Sequence, residues 1–364
     1  MEPGDTGGWA NLGDRTPPPM PLIFGSGHYR PPVVPDYDFE VQFDVPAELS
    51  EWFDRYVLVF GVYVFTSSTV DDWAMQHIAR VLAKFLDQDE DGTADEPRVV
   101  AAMVARKAMM CLLANEDEYE DGIGEIADGF SLEFGVIKND RPVWTCDSPE
   151  DVWVLAEVWQ AELVPPCEPD CDPPFAYQPD APPYGRWDVA WEEVYHLVSH
   201  LGYGCGDPSR WSTIENSGSV ISDNLNTMIG SCGFRFNDTQ TPRQPDCHYY
   251  YSDPSCFYSC QVNEYLYQAY TTQLGASEYK CRPNPSQGYD LCTQPLMFEG
   301  DRICWDLLAD APAGAPPMPQ ILPSGHYRPQ DDHLIKVDAR WSGATKPPPA
   351  RANTPPPPPS QPKL

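Results

Sequence analysis

Residues 87–96 read Asp87-Gln88-Asp89-Glu90-Asp91-Gly92-Thr93-Ala94-Asp95-Glu96. Counted from the first aspartate, carboxylates stand at positions 1, 3, 5 and 9, and a glycine stands at position 6. Hard cations such as Ca²⁺ take about six to eight oxygen ligands, and the glycine permits the tight turn that aims successive carboxylates inward. The spacing therefore predicts a calcium site whose ligands come from Asp87, Asp89, Asp91, Thr93 and Asp95.

This loop resembles the calcium loop of an EF-hand, in which a helix lies on each side. Apolar residues at helical spacing over residues 70–86 predict the first helix, with Ser68 or Thr69 as its N-cap, and a second helix is expected over residues 97–112. One position departs from the pattern, because Arg98 stands where an EF-hand supplies a bidentate carboxylate. Calcium would then need an oxygen from elsewhere and bind weakly. An acidic, solvated turn between two helices is the alternative.

The charge of the chain restricts its partners. The 364 residues include 23 Lys or Arg and 55 Asp or Glu, which gives a net charge of −32. Such a negative field repels phosphate backbones and anionic lipids, so neither nucleic acid nor a membrane surface is an expected partner. The longest apolar run, residues 56–65, is too short to span a bilayer. Residues 1–14 lack the apolar region of a signal peptide.

The cysteines point to an oxidising compartment. The chain has 12 of them, an even number that predicts disulfides and hence a secreted, extracellular protein. Zinc sites favour CxxC pairs, whereas the close pairs Cys167/Cys171 and Cys256/Cys260 each enclose three residues. Asn237 begins an Asn-Asp-Thr acceptor for N-glycosylation, which agrees with secretion.

Proline-rich segments enclose the predicted core. The chain contains 42 prolines, and the proline-rich residues 1–45 and 311–364 are predicted to be disordered flanks. Residues 46–310 form the expected globular core, and residues 70–113 its calcium helix-loop-helix. The prolines near the end of the chain are interpreted as a spacer.

Hydrophobic patterns assign the other elements of the core. Residues 56–65, an apolar run interrupted by Gly61, predict one or two buried strands. Helical patterns cover residues 151–163, 187–201 and 256–274. The predicted fold class is therefore α+β and helix-rich, with a single core stapled by disulfides.

One segment occurs twice in the chain. Residues 20–31 read Met-Pro-Leu-Ile-Phe-Gly-Ser-Gly-His-Tyr-Arg-Pro, and residues 318–329 read Met-Pro-Gln-Ile-Leu-Pro-Ser-Gly-His-Tyr-Arg-Pro. Two copies are too few for a solenoid. Three interpretations are open: the copies bind one kind of partner twice, they dock at equivalent sites on the core, or they are the remains of duplicated exon ends.

A second candidate metal site lies in residues 191–200, Trp-Glu-Glu-Val-Tyr-His-Leu-Val-Ser-His. Glu192, His196 and His200 follow one another at intervals of four residues, which places them along one face of a helix. Two histidines one helical turn apart can share a transition metal.

The segment from Glu192 to His196 resembles the zinc-binding helix of zincin metallopeptidases, whose pattern is HExxH. The resemblance implies that Glu192 replaces the first histidine ligand, that Glu193 is the general base and that His196 is the second histidine ligand. Glutamate-type zincins take a third ligand from a later helix, for which Glu264 is the candidate. A carboxylate in place of an imidazole makes the site harder and alters its metal preference.

Other interpretations of this helix are open. If His196 and His200 are the ligand pair, Leu197 occupies the place of the base, and metal binds without peptidase chemistry. A single ExxH is also half of a di-iron carboxylate site, although the second half is missing. The helix can equally be amphipathic with a solvated face. His77 becomes a further zinc ligand if its helix packs on the helix of His196.

Tyrosines are abundant after residue 248, and they either line a peptide or glycan cleft or pack the disulfide-rich region. The sequence thus predicts a secreted calcium-binding protein with a second divalent-metal site. If Glu193 activates water there, the protein is a zinc-dependent hydrolase. The alternative is a non-catalytic, acidic matrix or adhesion protein that uses calcium for stability and assembly.

Overall fold

The computed structural model describes much of the predicted core and parts of the C-terminal segment. The described residues are 53, 55–67, 69–115, 118, 131–132, 137–138, 141–142, 154–160, 163, 189–230, 247–251, 256, 258–277, 288–309, 318–320, 323 and 335–338. The predicted N-terminal flank, the glycosylation acceptor Asn237 and most of residues 311–364 lie outside these ranges.

The described elements are ten strands and nine α-helices, with one π-helix. The strands are β1 (Arg55–Val59), β2 (Val62–Thr66), β3 (Ala108–Leu113), β4 (Ser131–Leu132), β5 (Ile137–Lys138), β6 (Arg141–Pro142), β7 (Val154–Trp159), β8 (Tyr249–Tyr250), β9 (Gly288–Tyr289) and β10 (Ile335–Asp338). The helices are α1 (Asp72–Leu86), α2 (Pro97–Ala105), α3 (Val189–Leu197), α4 (Gly204–Gly206), α5 (Pro208–Trp211), α6 (Val220–Ile229), α7 (Tyr258–Gln273), α8 (Gln294–Gly300) and α9 (Arg302–Ala309). The π-helix (Val198–Tyr203) continues α3 directly.

A six-stranded sheet with the order β10-β1-β2-β3-β7-β4 organises the fold. β1 and β2 form an antiparallel hairpin, which confirms the strands predicted in residues 56–65. Phe60 and Gly61 join them with φ angles of 50° and 85°, as expected for the tight turns that match the twist of paired strands. β3 and β7 continue the sheet in parallel orientation, and β10 covers the outer edge of β1.

The predicted calcium loop lies within the crossover between the parallel strands β2 and β3. α1 precedes the loop and α2 follows it. α1 begins after Asp71, so the predicted N-cap at Ser68 or Thr69 was wrong. The second helix ends at Ala105, short of the predicted residue 112, because Lys107 has a φ of 49° and β3 follows.

Two apolar stretches were assigned to the wrong element. All six residues of β3 are buried, so the strand reads as a continuous apolar run that periodicity cannot distinguish from a buried helix. The helix predicted over residues 151–163 is likewise wrong, since β7 pairs there with β3 and β4. The helices predicted over residues 187–201 and 256–274 are confirmed as α3 with the π-helix and as α7.

One hydrophobic core joins the sheet to the helices. Val64 of the sheet, Ile78 of α1 and Val194 of α3 belong to a single buried cluster that also includes side chains of α6, α7 and α9. The predicted fold class, α+β and helix-rich, is confirmed. No helix among the described residues is both long and apolar enough to cross a membrane.

Disulfides staple this core in part. Cys256 and Cys260 are bonded to each other, which removes them as zinc ligands, and Cys205, Cys247 and Cys292 are also disulfide-bonded. Cys111 and Cys304 are instead buried thiols, so the expectation that the cysteines serve as disulfides does not hold for these two. Disulfides of this number are typical of an oxidising compartment.

A buried carboxylate connects the later helices. Asp301, 1% exposed, accepts hydrogen bonds from the hydroxyls of Tyr265 (2.5 Å) and Tyr289 (2.7 Å) through Oδ2. Its Oδ1 accepts from Asn224 Nδ2 (2.7 Å) and from the N–H of Cys304 (3.2 Å). These bonds link α6, α7, β9 and α9 around one carboxyl group.

The helix that leaves the acidic loop packs closely on the π-helix. A Cβ atom on Gly202 would lie 2.6 Å from Val99 Cγ1 and 3.3 Å from Met103 Cγ. We expect Gly202→Ala to lower the free energy of unfolding by about 1–3 kcal/mol, because both neighbours are buried and must shift. Urea denaturation measures the loss. Gly206→Ala is the matched control, since its new Cβ would meet only ordinary contacts at 3.6 Å or more; an equal loss in both variants would contradict this packing.

Candidate metal centres

The acidic loop brings three carboxylates together. One oxygen each of Asp87, Asp89 and Asp91 lies within 4.8 Å of the others. Asp87, fully buried at the end of α1, accepts hydrogen bonds from the N–H groups of Asp91 (3.1 Å) and Gly92 (2.8 Å). Asp91 in turn accepts from the N–H of Thr93 (2.7 Å). The backbone therefore curls around these side chains.

Two residues of this loop have left-handed backbone conformations. Gly92 has a φ of 85°, as a glycine at the sixth position permits, and Glu90 has a φ of 59°. Glu90 is held by an ion pair with Lys84, whose Nζ lies 2.8 Å from Glu90 Oε1 and also donates to the carbonyl of Gln88. Both side chains are buried, so the ion pair holds Glu90 in its left-handed conformation, which is strained for a residue with a Cβ.

The remaining predicted calcium residues lie around this cluster. Asp95 Oδ2 accepts from the N–H and the side-chain amide of Gln88, at 2.8 and 3.2 Å. Burial raises the pKa of Asp95, and the charges of Asp89 and Asp91 act in the same direction. Arg98, at the twelfth position and about half exposed, lies 3.9 Å from Glu96.

The second cluster combines residues from α3 and α7. One potential ligand atom each of Glu192, His196 and Glu264 lies within 4.8 Å of the others. His196 Nε2 is 3.9 Å from Glu264 Oε1, and His196 Nδ1 is 3.9 Å from Glu193 Oε2. Both distances exceed that of a hydrogen bond. The two ring nitrogens therefore face different carboxylates, Nε2 facing Glu264 and Nδ1 facing Glu193.

The surroundings of His196 keep its imidazole neutral. The ring is buried, and the ring of Tyr267 meets it edge-on at 5.6 Å. Burial lowers the pKa of His196 to about 3, and the nearby His200 acts in the same direction. A histidine binds metal through its neutral form, so His196 is in the ligand state at neutral pH.

One of the tyrosines predicted either to line a peptide or glycan cleft or to pack the disulfide-rich region lies beside this cluster. Tyr249 of β8 is fully buried, and its hydroxyl makes no hydrogen bond to any other described residue. Burial raises its pKa well above the usual value, and the charges of Glu264 and Glu192 contribute. A protonated phenol therefore stands near both carboxylates. Tyr265, by contrast, donates to Asp301 inside the core, which fits packing rather than a cleft.

The other candidate histidines lie outside the cluster. His200 Nδ1 is 3.1 Å from Thr213 Oγ1 and 3.0 Å from Asn263 Nδ2. His200 thereby ties the π-helix to the residue that precedes Glu264. His77 is fully buried in α1. Within the described part of the chain, neither histidine joins a group of three convergent ligand side chains.

No family model, curated protein or solved structure matches the chain. The likeness to EF-hands and zincins therefore rests on the residues of the two clusters. The acidic loop resembles an EF-hand because its ligands are oxygens. The cluster around His196 resembles a zincin site because it combines carboxylates with an imidazole.

Proposed function

We propose that the protein binds calcium in the acidic loop and a second divalent metal at Glu192, His196 and Glu264, and that the second metal activates water for hydrolysis. One observation carries the second half of this proposal. Three side chains that can bind a metal converge from two helices, and the histidine among them is buried and neutral. The hydrolytic step is supported by Glu193, which adjoins the cluster.

The acidic loop suits calcium because its convergent ligands are oxygens on a curled backbone. Asp87, Asp89 and Asp91 supply the first oxygens, and Thr93 and Asp95 are the candidates for the others. Arg98 in place of the last carboxylate implies weak binding, in the range of extracellular modules. Because the loop joins α1 to α2, bound calcium stabilises the crossover between β2 and β3.

Calcium is therefore expected to raise thermal stability, by about 2.7 kcal/mol when free calcium is about 100 times the Kd. The variant Asp91→Asn should lose most of this gain, because it removes one negative charge from the site. It keeps an oxygen acceptor for the N–H of Thr93, so that hydrogen bond of the loop is retained. Thermal unfolding in calcium and in chelator measures the difference. Asp306→Asn, an exposed change on α9, should respond as the unaltered protein does. Equal gains in both variants would show that calcium binds elsewhere.

The second cluster suits zinc or a slightly harder divalent metal, since it offers two carboxylates and one imidazole. Zinc supplies a bound water of lowered pKa and polarises a carbonyl group. Glu193, about a quarter exposed and 3.9 Å from His196, can accept the proton of such a water. Tyr249 retains its proton at neutral pH, so it adds no negative charge beside the two carboxylates.

Glu193→Gln tests the hydrolytic step. We expect it to lower hydrolysis of an unfolded protein such as casein by about 10²–10⁴-fold, because the general base is lost, while bound zinc is unchanged. Release of fluorescent peptides measures hydrolysis, and elemental analysis measures bound zinc. Glu299→Gln, on the exposed face of α8, is the control. Zinc binding without hydrolysis in the unaltered protein would reject the enzyme and favour a non-catalytic, calcium-dependent matrix or adhesion protein.

A further inference from the structure

The described residues of the C-terminal copy, 318–320 and 323, are docked on the core. Met318, its first residue, is 1% exposed and belongs to the hydrophobic core. The N–H of Gln320 donates to Gln88 Oε1 at 2.8 Å, and the carbonyl of Pro323 accepts from the indole N–H of Trp191. This copy therefore reaches from the acidic loop to the residue before Glu192.

The side chain of Gln320 adds two further bonds. Its Nε2 donates to the carbonyls of Leu308 (2.8 Å) and Met318 (3.1 Å). We call the surface formed by Gln88, Trp191 and Leu308 the docking strip. Besides the bonds of the Gln320 side chain, the described residues of this copy contribute one buried methionine side chain, one backbone N–H and one backbone carbonyl.

The N-terminal copy retains these three features. Residues 20–31 and 318–329 are identical at nine of twelve positions. Met20 corresponds to Met318, and the backbone N–H of Leu22 and the carbonyl of Gly25 correspond to those of Gln320 and Pro323. Backbone groups do not depend on the side chain, so of the contacts made by the described residues 318–320 and 323, the N-terminal copy lacks those of the Gln320 side chain.

The correspondence extends past the repeated segment. β10 begins 17 residues after Met318, reads Ile-Lys-Val-Asp and pairs with the outer edge of β1. At the same distance after Met20, residues 37–40 read Tyr-Asp-Phe-Glu, with the same alternation of apolar and charged residues. The other edge of β1 is taken by β2, so only one additional strand can pair with β1. The two copies cannot both occupy these positions.

We propose that residues 20–31 are a second ligand of the docking strip and that the two copies exchange on it within one chain. Both copies are tethered to the same core, which gives each an effective concentration of the order of millimolar. The bonds of Gln320 favour the C-terminal copy, and Gly25 in place of Pro323 adds an ordering cost to the N-terminal one. The exchange requires neither metal.

Hydrogen exchange with mass spectrometry on the full chain tests the proposal. Met318→Asp disfavours the C-terminal copy by placing a charge in the core, whereas Met20→Asp combined with Met318→Asp disables both copies. We expect amides of residues 20–31 to exchange at least about tenfold more slowly in the single variant than in the double variant. Amides of α7 should exchange alike in both, as a control for the core.

Equal exchange rates of residues 20–31 in the two variants would overturn the proposal. Slower exchange that appears only at high protein concentration would also contradict it, because the copy would then bind a second chain. If Met318→Asp disturbs α7, the pair Met318→Ala and Met20→Ala/Met318→Ala gives the same comparison with a milder change.

Discussion

Replacing Glu264 by glutamine is expected to lower the affinity for zinc by at least about 100-fold. The substitution keeps the size of the side chain and removes the only ligand that α7 contributes to the cluster around His196. Glu192 and His196 would then bind the metal from one helix alone. Zinc titration by calorimetry, together with elemental analysis of the purified protein, measures the change.

Three further measurements test whether the loss of zinc is specific to this cluster. His196→Ala should lose zinc to a similar extent, whereas Glu299→Gln should retain it. Calcium content should stay the same in all three variants, since the acidic loop shares no ligand with this cluster. If Glu264→Gln and His196→Ala both keep one equivalent of zinc, the metal binds elsewhere and the proposed hydrolase loses its basis.

Removing the buried carboxylate at Asp301 is expected to cause the largest loss of stability. Asp301→Ala should lower the free energy of unfolding by about 3–5 kcal/mol. The tyrosine hydroxyls of Tyr265 and Tyr289 and the amide of Asn224 would lose their common acceptor while they remain buried. Guanidinium denaturation without reductant, which leaves the disulfides intact, measures this loss.

Asp306→Ala is the matched control for this experiment. Asp306 lies on the same helix and pairs with Arg302 at 2.7 Å, but both side chains are substantially exposed. Exposed pairs contribute little, so the change should stay within about 0.5 kcal/mol. A loss at Asp301 no greater than the loss at Asp306 would show that the network does not hold the helices together.

The elements around the two clusters could be predicted because their signals are local. The spacing of apolar residues identified α1, α3 and α7, and the glycine at position 92 marked a turn that the structure contains. β3 and β7 were missed for a physical reason. Each is an apolar run paired with distant segments, and a single sequence does not reveal those partners.

The residues of the candidate sites also fall into two groups, those that the sequence predicts and those that only the folded structure brings together. Glu192 and His196 follow from helical spacing, and Glu264 was selected through the zincin resemblance. Lys84 supports the acidic loop through a buried ion pair, and Tyr249 lies beside the second cluster only because β8 packs near α7. Such contacts depend on tertiary packing and leave no local pattern in the sequence.

The pairing of β1 with β10 also bears on how the protein is made. β1 emerges from the ribosome long before β10, so the outer edge of β1 lacks this partner strand during most of synthesis. An uncovered edge invites pairing with other chains, and N-terminal parts of a protein start to fold first. Residues 37–40, which correspond in spacing to β10, are synthesised before β1. If the two copies exchange as proposed, the N-terminal segment would protect this edge until β10 has been made.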